Sequence, residues 1–305
     1  MKQIKSIAMI LAVVIGFLFG FRFLQPELFY SNDEITEFTQ ATKDACGKGL
    51  VITIGGGFDY EDTFKPLLNR CMKHVGKENP NMLFIATGAR EDPGEDNLAR
   101  MDWFAHAGCN TDRLNVVEST AEECAEKVSW ADIIYETGGN LKFLTEAWGE
   151  KGMFEDIRAA FASGTALIGP STGAMCWAYC GFDNCGDDVF RFIEDFPFIG
   201  YGPEFHYYYA SDVVPFCVIP HFDNIGYRQN AFKAVKSDVP WLCIENGAAV
   251  AFENGKFEVI SDQRTPFRTA YVFCTERNIV MAEIKHSDLA EVVAGEFLTK
   301  RSADR

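Results

Sequence analysis

Apolar and polar positions alternate along this chain at the scale of whole elements. Short β-rich runs fall at 50–54, 82–87, 114–118, 132–136 and 166–169. Between them lie helix-like stretches at 61–77, 97–108, 121–129, 141–148 and 153–162. The strand runs carry no internal polar alternation, so they predict burial on both faces, as in a parallel sheet covered by helices. Strand–helix alternation of this kind predicts an α/β fold: a doubly wound, mostly parallel sheet flanked by helices with right-handed crossovers.

The last third changes period. Close-spaced strand candidates at 241–245, 248–252, 257–260, 270–274 and 278–283 predict antiparallel C-terminal edge strands completing the same domain. Glu253-Asn254-Gly255 predicts a hairpin, because Asn-Gly suits a tight turn with positive φ. No internal repeat or low-complexity tract interrupts the pattern.

The N-terminus stands apart. Lys2 and Lys5 precede an apolar run from Ile7 to Phe21 that stops at Arg22. Its length lies between that of a signal peptide and that of a spanning helix. No small-x-small cleavage site follows, so residues 1–30 are expected to form an uncleaved signal anchor, ahead of a cleaved signal peptide or a buried core helix. Lysines before the run keep the N-terminus cytoplasmic and send the domain outside. Polar, acidic residues 31–48 then read as a linker and residues 49–305 as the folded domain. The expected setting is membrane-anchored or exported.

Composition narrows the function classes. Net charge is −16 and no Lys/Arg cluster follows the N-terminal segment, which argues against a nucleic-acid partner. An anionic substrate must then be met by a few local cations against the mean field. The even set of 10 cysteines permits disulfides in an exported domain. Cys71, Cys217, Cys243 and Cys274 sit inside apolar runs, where buried free thiols are expected. Cys176, Cys180 and Cys185 lack a matched second ligand pair, so no zinc site is expected.

The strongest chemical signal is Gly169-Pro170-Ser171-Thr172-Gly173, between a buried strand and a helix start. A nucleophilic serine must project from a sharp strand-to-helix turn, and flanking glycines make room for that backbone. The helix start offers unpaired N–H groups, among them that of Thr172, to an oxyanion. An ordinary turn whose serine only caps the helix has the same local pattern. Of five histidines, His221 is best placed as base, at the end of the apolar run 216–220. His74 and His286 read as surface residues, His106 as a core or surface residue, and His206 as a pocket wall among aromatics. Acids that could orient the base, in the chain order Ser–acid–His, are Asp183, Asp187, Asp188, Glu194 and Asp195. Gly55-Gly56-Gly57 and Gly138-Gly139-Asn140 follow predicted strands on the same side, where bare backbone can approach a ligand. A dinucleotide fingerprint would need glycine where Tyr60 stands, so no nucleotide cofactor is expected.

Taken in order, Ile-Gly-Gly-Gly, Glu-Thr-Gly-Gly-Asn-Leu with a downstream Trp, Gly-x-Ser-x-Gly-Ala and Pro-His-Phe-Asp-Asn resemble peptidase family S51, which includes dipeptidase E and cyanophycinase. The resemblance runs over residues 49–260 and implies a class I glutamine amidotransferase-like fold in which serine replaces the amidotransferase cysteine. It implies Ser171 as nucleophile, His221 as base and then acid, and Asp183 as the acid, with Asp187 second. It also implies oxyanion-binding N–H groups at Gly139 and Thr172, with Asn140 at the substrate site. Arg228, seven residues after His221, is a candidate cation for a substrate carboxylate. The expected activity is serine-dependent hydrolysis of small peptides or isopeptides with an acidic residue at the scissile bond, without a cofactor or metal. Cyanophycinase-like cleavage of β-Asp–Arg peptides and a non-catalytic binding module are the alternatives, and a homo-oligomer is open. Two features depart from the family. The serine is followed by Thr172 where Ala is usual, and the dipeptidase is typically a shorter, soluble cytoplasmic protein.

Overall fold

The computed structural model describes residues 48–183, 206–224, 227–228, 241–274 and 280–283. The N-terminal segment 1–30, most of the linker, and the candidates Asp187, Asp188, Glu194, Asp195 and His286 lie outside the described residues. In chain order the first half comprises β1 (Leu50–Ile54), α1 (Glu61–Val75), β2 (Asn81–Ile85), α2 (Gly94–His106), β3 (Asn110–Leu114), α3 (Ala121–Trp130) and β4 (Ile133–Glu136). Then come α4 (Leu141–Lys151), α5 (Met153–Ser163), β5 (Ala166–Pro170), α6 (Thr172–Met175), β6 (Ala178–Asp183), β7 (His206–Tyr209) and β8 (Val214–Ile219). The last strands are β9 (Trp241–Ile244), β10 (Ala248–Glu253), β11 (Lys256–Ser261), β12 (Ala270–Cys274) and β13 (Val280–Glu283).

Seven strands form one sheet in the order β11-β10-β1-β5-β4-β2-β3. Its five strands from β1 to β3 are parallel, and β10 and β11 extend the β1 edge antiparallel. Both faces are buried, as the unbroken apolar runs require. Leu50, Ile52 and Ile54 of β1 enter one core with Phe64 and Leu67 of α1 and Phe104 of α2. Val51 enters the other core, with Val128 of α3, Leu144 of α4 and Ile157 of α5. Helix starts follow their caps. Thr120 and Glu123 form a reciprocal capping box at α3, and the Asn140 Oδ1 accepts the Phe143 N–H at α4.

The α/β architecture matches the expected fold class, but the C-terminal strands divide between two sheets. A six-stranded sheet, β13-β12-β9-β8-β6-β7, has a parallel centre of β6, β8 and β9 and antiparallel edges. Val214, Phe216 and Val218 of β8 face the core shared with the first sheet, while Cys217 and Ile219 face a smaller core with Trp241 and Cys243. The Asn-Gly hairpin forms as expected, with Asn254 at φ 52°, Gly255 at φ 73° and Glu253 opposite Lys256.

Two expectations are corrected. The third strand is not 114–118 but Asn110–Leu114, which is polar because it lies at the sheet edge, while 115–119 closes a turn. Cys217 is not a free thiol: it is disulfide-bonded to Cys180, its register partner on the neighbouring strand. An apolar run conceals that pairing, because both sulfurs are buried in the small core. Cys71 and Cys243 are buried free thiols.

Candidate active site

The turn at Ser171 departs from ordinary strand and helix backbone. β5 ends at Pro170, Ser171 takes φ 55° and ψ −115°, and α6 begins at Thr172. A non-glycine residue there costs backbone energy and is kept where the surroundings impose it. The flanking glycines are imposed by the end of β4. A Cβ on Gly169 would stand 2.5 Å from the Glu136 carbonyl oxygen, and one on Gly173 would stand 2.2 Å from it.

His221 also has positive φ, at 53°. Its Nε2 lies 2.9 Å from the Ser171 Oγ. Its Nδ1 lies 2.7 Å from the Asn246 Oδ1, on the connection between β9 and β10. The Asn246 amide is oriented from behind, since its Nδ2 and its backbone N both donate to the Asp223 Oδ1, at 2.9 and 2.8 Å. Asp223 Oδ2 in turn pairs with Arg268 at 3.1 Å. With Nδ2 committed to a carboxylate, Oδ1 can only accept, so this network assigns the proton to His221 Nδ1 and leaves Nε2 to accept from Ser171.

The residue that meets His221 Nδ1 in the structure is Asn246, an amide, rather than the expected Asp183. Asp183 ends β6, buried and opposite His206 of β7. Both ring nitrogens of His221 are occupied, by Ser171 and Asn246. An amide serves the same orienting role in Cys–His–Asn variants of this constellation. Asn246 lies outside the chain order Ser–acid–His and carries no carboxylate, so that order does not point to it. The one local pointer is the predicted strand 241–245, which ends directly before Asn246 and pairs with the strand that leads to His221.

The glycine clusters meet this arrangement from both sides. A Cβ on Gly56 would fall 2.1 Å from the Asn246 Oδ1 and 2.9 Å from the His221 ring. Gly138 lies against Ser171, its added Cβ 3.3 Å from the serine Cβ. Gly139, at φ 143°, packs on Gly88, whose carbonyl accepts the Asn140 N–H at 2.7 Å. Thr172 donates its hydroxyl to the Gly139 carbonyl at 2.7 Å, stitching the nucleophile turn to the Gly138-Gly139 turn. As the first residue of α6, Thr172 also has a backbone N–H with no intrahelical acceptor.

Arg228 is engaged within the protein. Its Nε donates to the Phe222 carbonyl at 3.0 Å, Nη2 reaches Glu245 at 3.4 Å, and the guanidinium lies over the Phe222 ring. Asn140 likewise uses its side-chain oxygen to cap α4. Among the other histidines, His74 bonds Glu253 and the Gly164 carbonyl, His106 ends α2, and His206 is exposed on β7.

A group that sequence reasoning missed is Glu136, fully buried at the end of β4. Its Oε1 accepts the Gly88 N–H at 3.0 Å, supporting the turn on which Gly139 rests. Burial pushes its carboxyl up to about 8, despite the bond from Gly88.

Comparisons with known proteins place the chain in a family and a fold. The model of peptidase family S51 matches residues 50–260. A Bacillus subtilis (strain 168) protein named Uncharacterized peptidase YgaJ is 25% identical over 225 residues, 71% of this chain and 88% of that one. A second such peptidase, from Pasteurella multocida (strain Pm70), is 25% identical over 182 residues, 58% of this chain and 83% of that one. The crystal structure of a peptidase from an acI-B1 Actinobacterium overlays with a TM-score of 0.57 at 17% identity, covering 77% of this chain and 93% of that one.

Two outcomes are expected. Replacing Asn246 by Ala slows covalent labelling of Ser171 by a fluorophosphonate by up to about 100- to 10,000-fold, the range a positioned base contributes; labelling at the wild-type rate would remove Asn246 from the relay. Glu136 holds a proton in the folded state up to about 8, whereas the unfolded chain releases it near the ordinary 4.5. Stability tied to this group is thus complete below pH 4.5 and declines as pH rises towards 8. Glu136→Gln flattens that decline in urea titrations run across the window, and an unchanged slope would show that the group does not titrate this way.

Proposed function

Because the chain belongs to peptidase family S51, we propose that it is a serine peptidase acting on small peptides or isopeptides with an acidic residue at the scissile bond. The observation that carries the serine mechanism is the 2.9 Å contact between Ser171 Oγ and His221 Nε2, with both residues at positive φ. On this reading Ser171 attacks the scissile carbonyl while its proton passes to His221 Nε2. The imidazolium that forms donates Nδ1–H to Asn246, whose amide is braced by Asp223. The backbone N–H groups of Thr172 and Gly139 receive the developing oxyanion, a role supported by the Thr172–Gly139 bond that sets the two turns together. His221 then protonates the leaving amine, and a water activated by the same ring releases the acyl group.

The apolar N-terminus, together with the closed Cys180–Cys217 disulfide, supports an exported or membrane-anchored setting, since disulfides persist in oxidising compartments. Full-length protein is expected in the membrane fraction, with these two cysteines resistant to thiol alkylation until reduced. Recovery from the cytosol with both thiols free would reject the assignment.

The activity is tested on the full chain beside Ser171→Ala, against dipeptides and isopeptides bearing Asp, Glu, Asn or Arg at the cleavage point. Wild-type turnover on the Asp and Glu series is expected, with kcat reduced by about 10⁴- to 10⁶-fold in Ser171→Ala. Equal turnover by the variant would exclude the serine mechanism.

A further inference from the structure

The active-site turns rest on a second loop, Ala86 to Asp92, at the carboxyl end of β2. Many bonds hold it. The Gly88 N–H goes to Glu136, the Trp148 Nε1 donates to the Thr87 hydroxyl, and that hydroxyl donates to Glu91 Oε1. Arg113 reaches the Glu91 carbonyl, while the Arg90 and Glu91 N–H groups close on Thr87 and Ala86. Within this scaffold Arg90 and Glu91 sit at φ 54° and 64°, a conformation that non-glycine residues avoid unless the surroundings enforce it.

What the strained turn presents is the Arg90 side chain. It is exposed, and its guanidinium lies 4.7 Å over the Phe143 ring at the start of α4. No oxygen among the described residues accepts from it. Each of the other described arginines has such an acceptor: Arg70 on Glu253, Arg100 on Asp59, Arg113 on the Glu91 carbonyl, Arg158 on Glu155, Arg228 on Glu245, Arg264 on Asp62 and Arg268 on Asp223. In a chain of net charge −16, where carboxylates outnumber cations, a guanidinium kept from all of them is unusual. Arg90 is also placed beside the chemistry: Gly88, two residues before it, touches Gly139, and Gly138 touches Ser171.

We propose that Arg90 is the specificity-determining residue that receives a carboxylate of the peptide substrate. Phe143 holds the guanidinium plane by stacking and takes none of its N–H donors, so the fork stays open for a bidentate carboxylate. The carboxylate comes either from an acidic side chain or from the free C-terminus of a short peptide. The assignment rests on the reading of this chain as a hydrolase of acidic peptides, and it supplies the cation that reading needs now that Arg228 is engaged elsewhere.

The test compares wild type, Arg90→Ala and Arg90→Lys on a matched set: an Asp peptide, its Asn isostere, and the C-terminal amides of both. Arg90→Ala is expected to lower kcat/KM by about 10- to 100-fold on the peptides carrying the recognised carboxylate, mainly through KM. Turnover of the fully neutral peptide and the rate of fluorophosphonate labelling stay as in wild type. Arg90→Lys recovers part of the loss, since charge remains while the planar fork is gone. Loss on the Asp member but not on its amidation identifies the side chain as the source, and the reverse pattern identifies the C-terminus. A wild-type preference for anionic peptides that survives in Arg90→Ala, or a loss shared by the neutral peptide, overturns the Arg90 assignment and leaves the acidic-substrate reading standing. Wild type that turns over none of the set, or treats anionic and neutral members alike, overturns both.

Discussion

The structure depends on the last residues of β1. The Ile54 carbonyl accepts the Ser171 N–H at 3.0 Å, and the Gly55 carbonyl accepts the His221 N–H at 3.1 Å. One strand end therefore positions both Ser171 and His221, although they are 50 residues apart in the chain. That strand is buried on both faces and paired on both edges, by β10 and β5, so little can move it. The same end also fixes Asn246 indirectly, because Gly56 and Gly247 are hydrogen-bonded and Gly56 has no side chain to displace the His221–Asn246 pair. Reactive geometry within a few tenths of an ångström is easier to keep on a buried strand than on a loop.

Around this frame negative charge is held away from where an oxyanion would form. The residue next to His221 is an amide, and the carboxylate that orients it, Asp223, stands one bond further back and is paired with Arg268. Glu136, which lies behind the Gly138-Gly139 turn, is buried enough to keep its proton at neutral pH. Its contribution there is a hydrogen-bond acceptor for Gly88, without the charge that would oppose an oxyanion nearby. Thr172, the departure from the family's usual alanine, serves the same turn through its hydroxyl.

Much of this was legible in the chain. Two-face burial of β1, β2, β4 and β5 follows from apolar runs that lack polar alternation, and the Asn254-Gly255 hairpin follows from φ preferences. Ser171 and His221 are recognisable because a strand–Gly-x-Ser-x-Gly–helix sequence and a histidine ending an apolar strand are local features. Their environments lie within a few residues of them. The third strand departs from its expected place for a related reason: as an edge strand it is polar, and the apolar residues Leu114 and Val116 fall at its last position and in the turn that follows.

The remaining elements of the site are non-local. Asn246 is set beside His221 by the pairing of β9 with β8, and Cys180 beside Cys217 by the pairing of β6 with β8; neither spacing carries a signal. Whether an arginine is committed or open depends on which carboxylates the fold brings near it, which is why Arg228 and Arg90 cannot be told apart by type. The sequence by itself determined which residues could be nucleophile and base, because backbone strain and strand burial are written locally. Only the tertiary structure decided what orients the base and which cation faces outward, because hydrogen bonds and ion pairs act through space between strands distant in the chain.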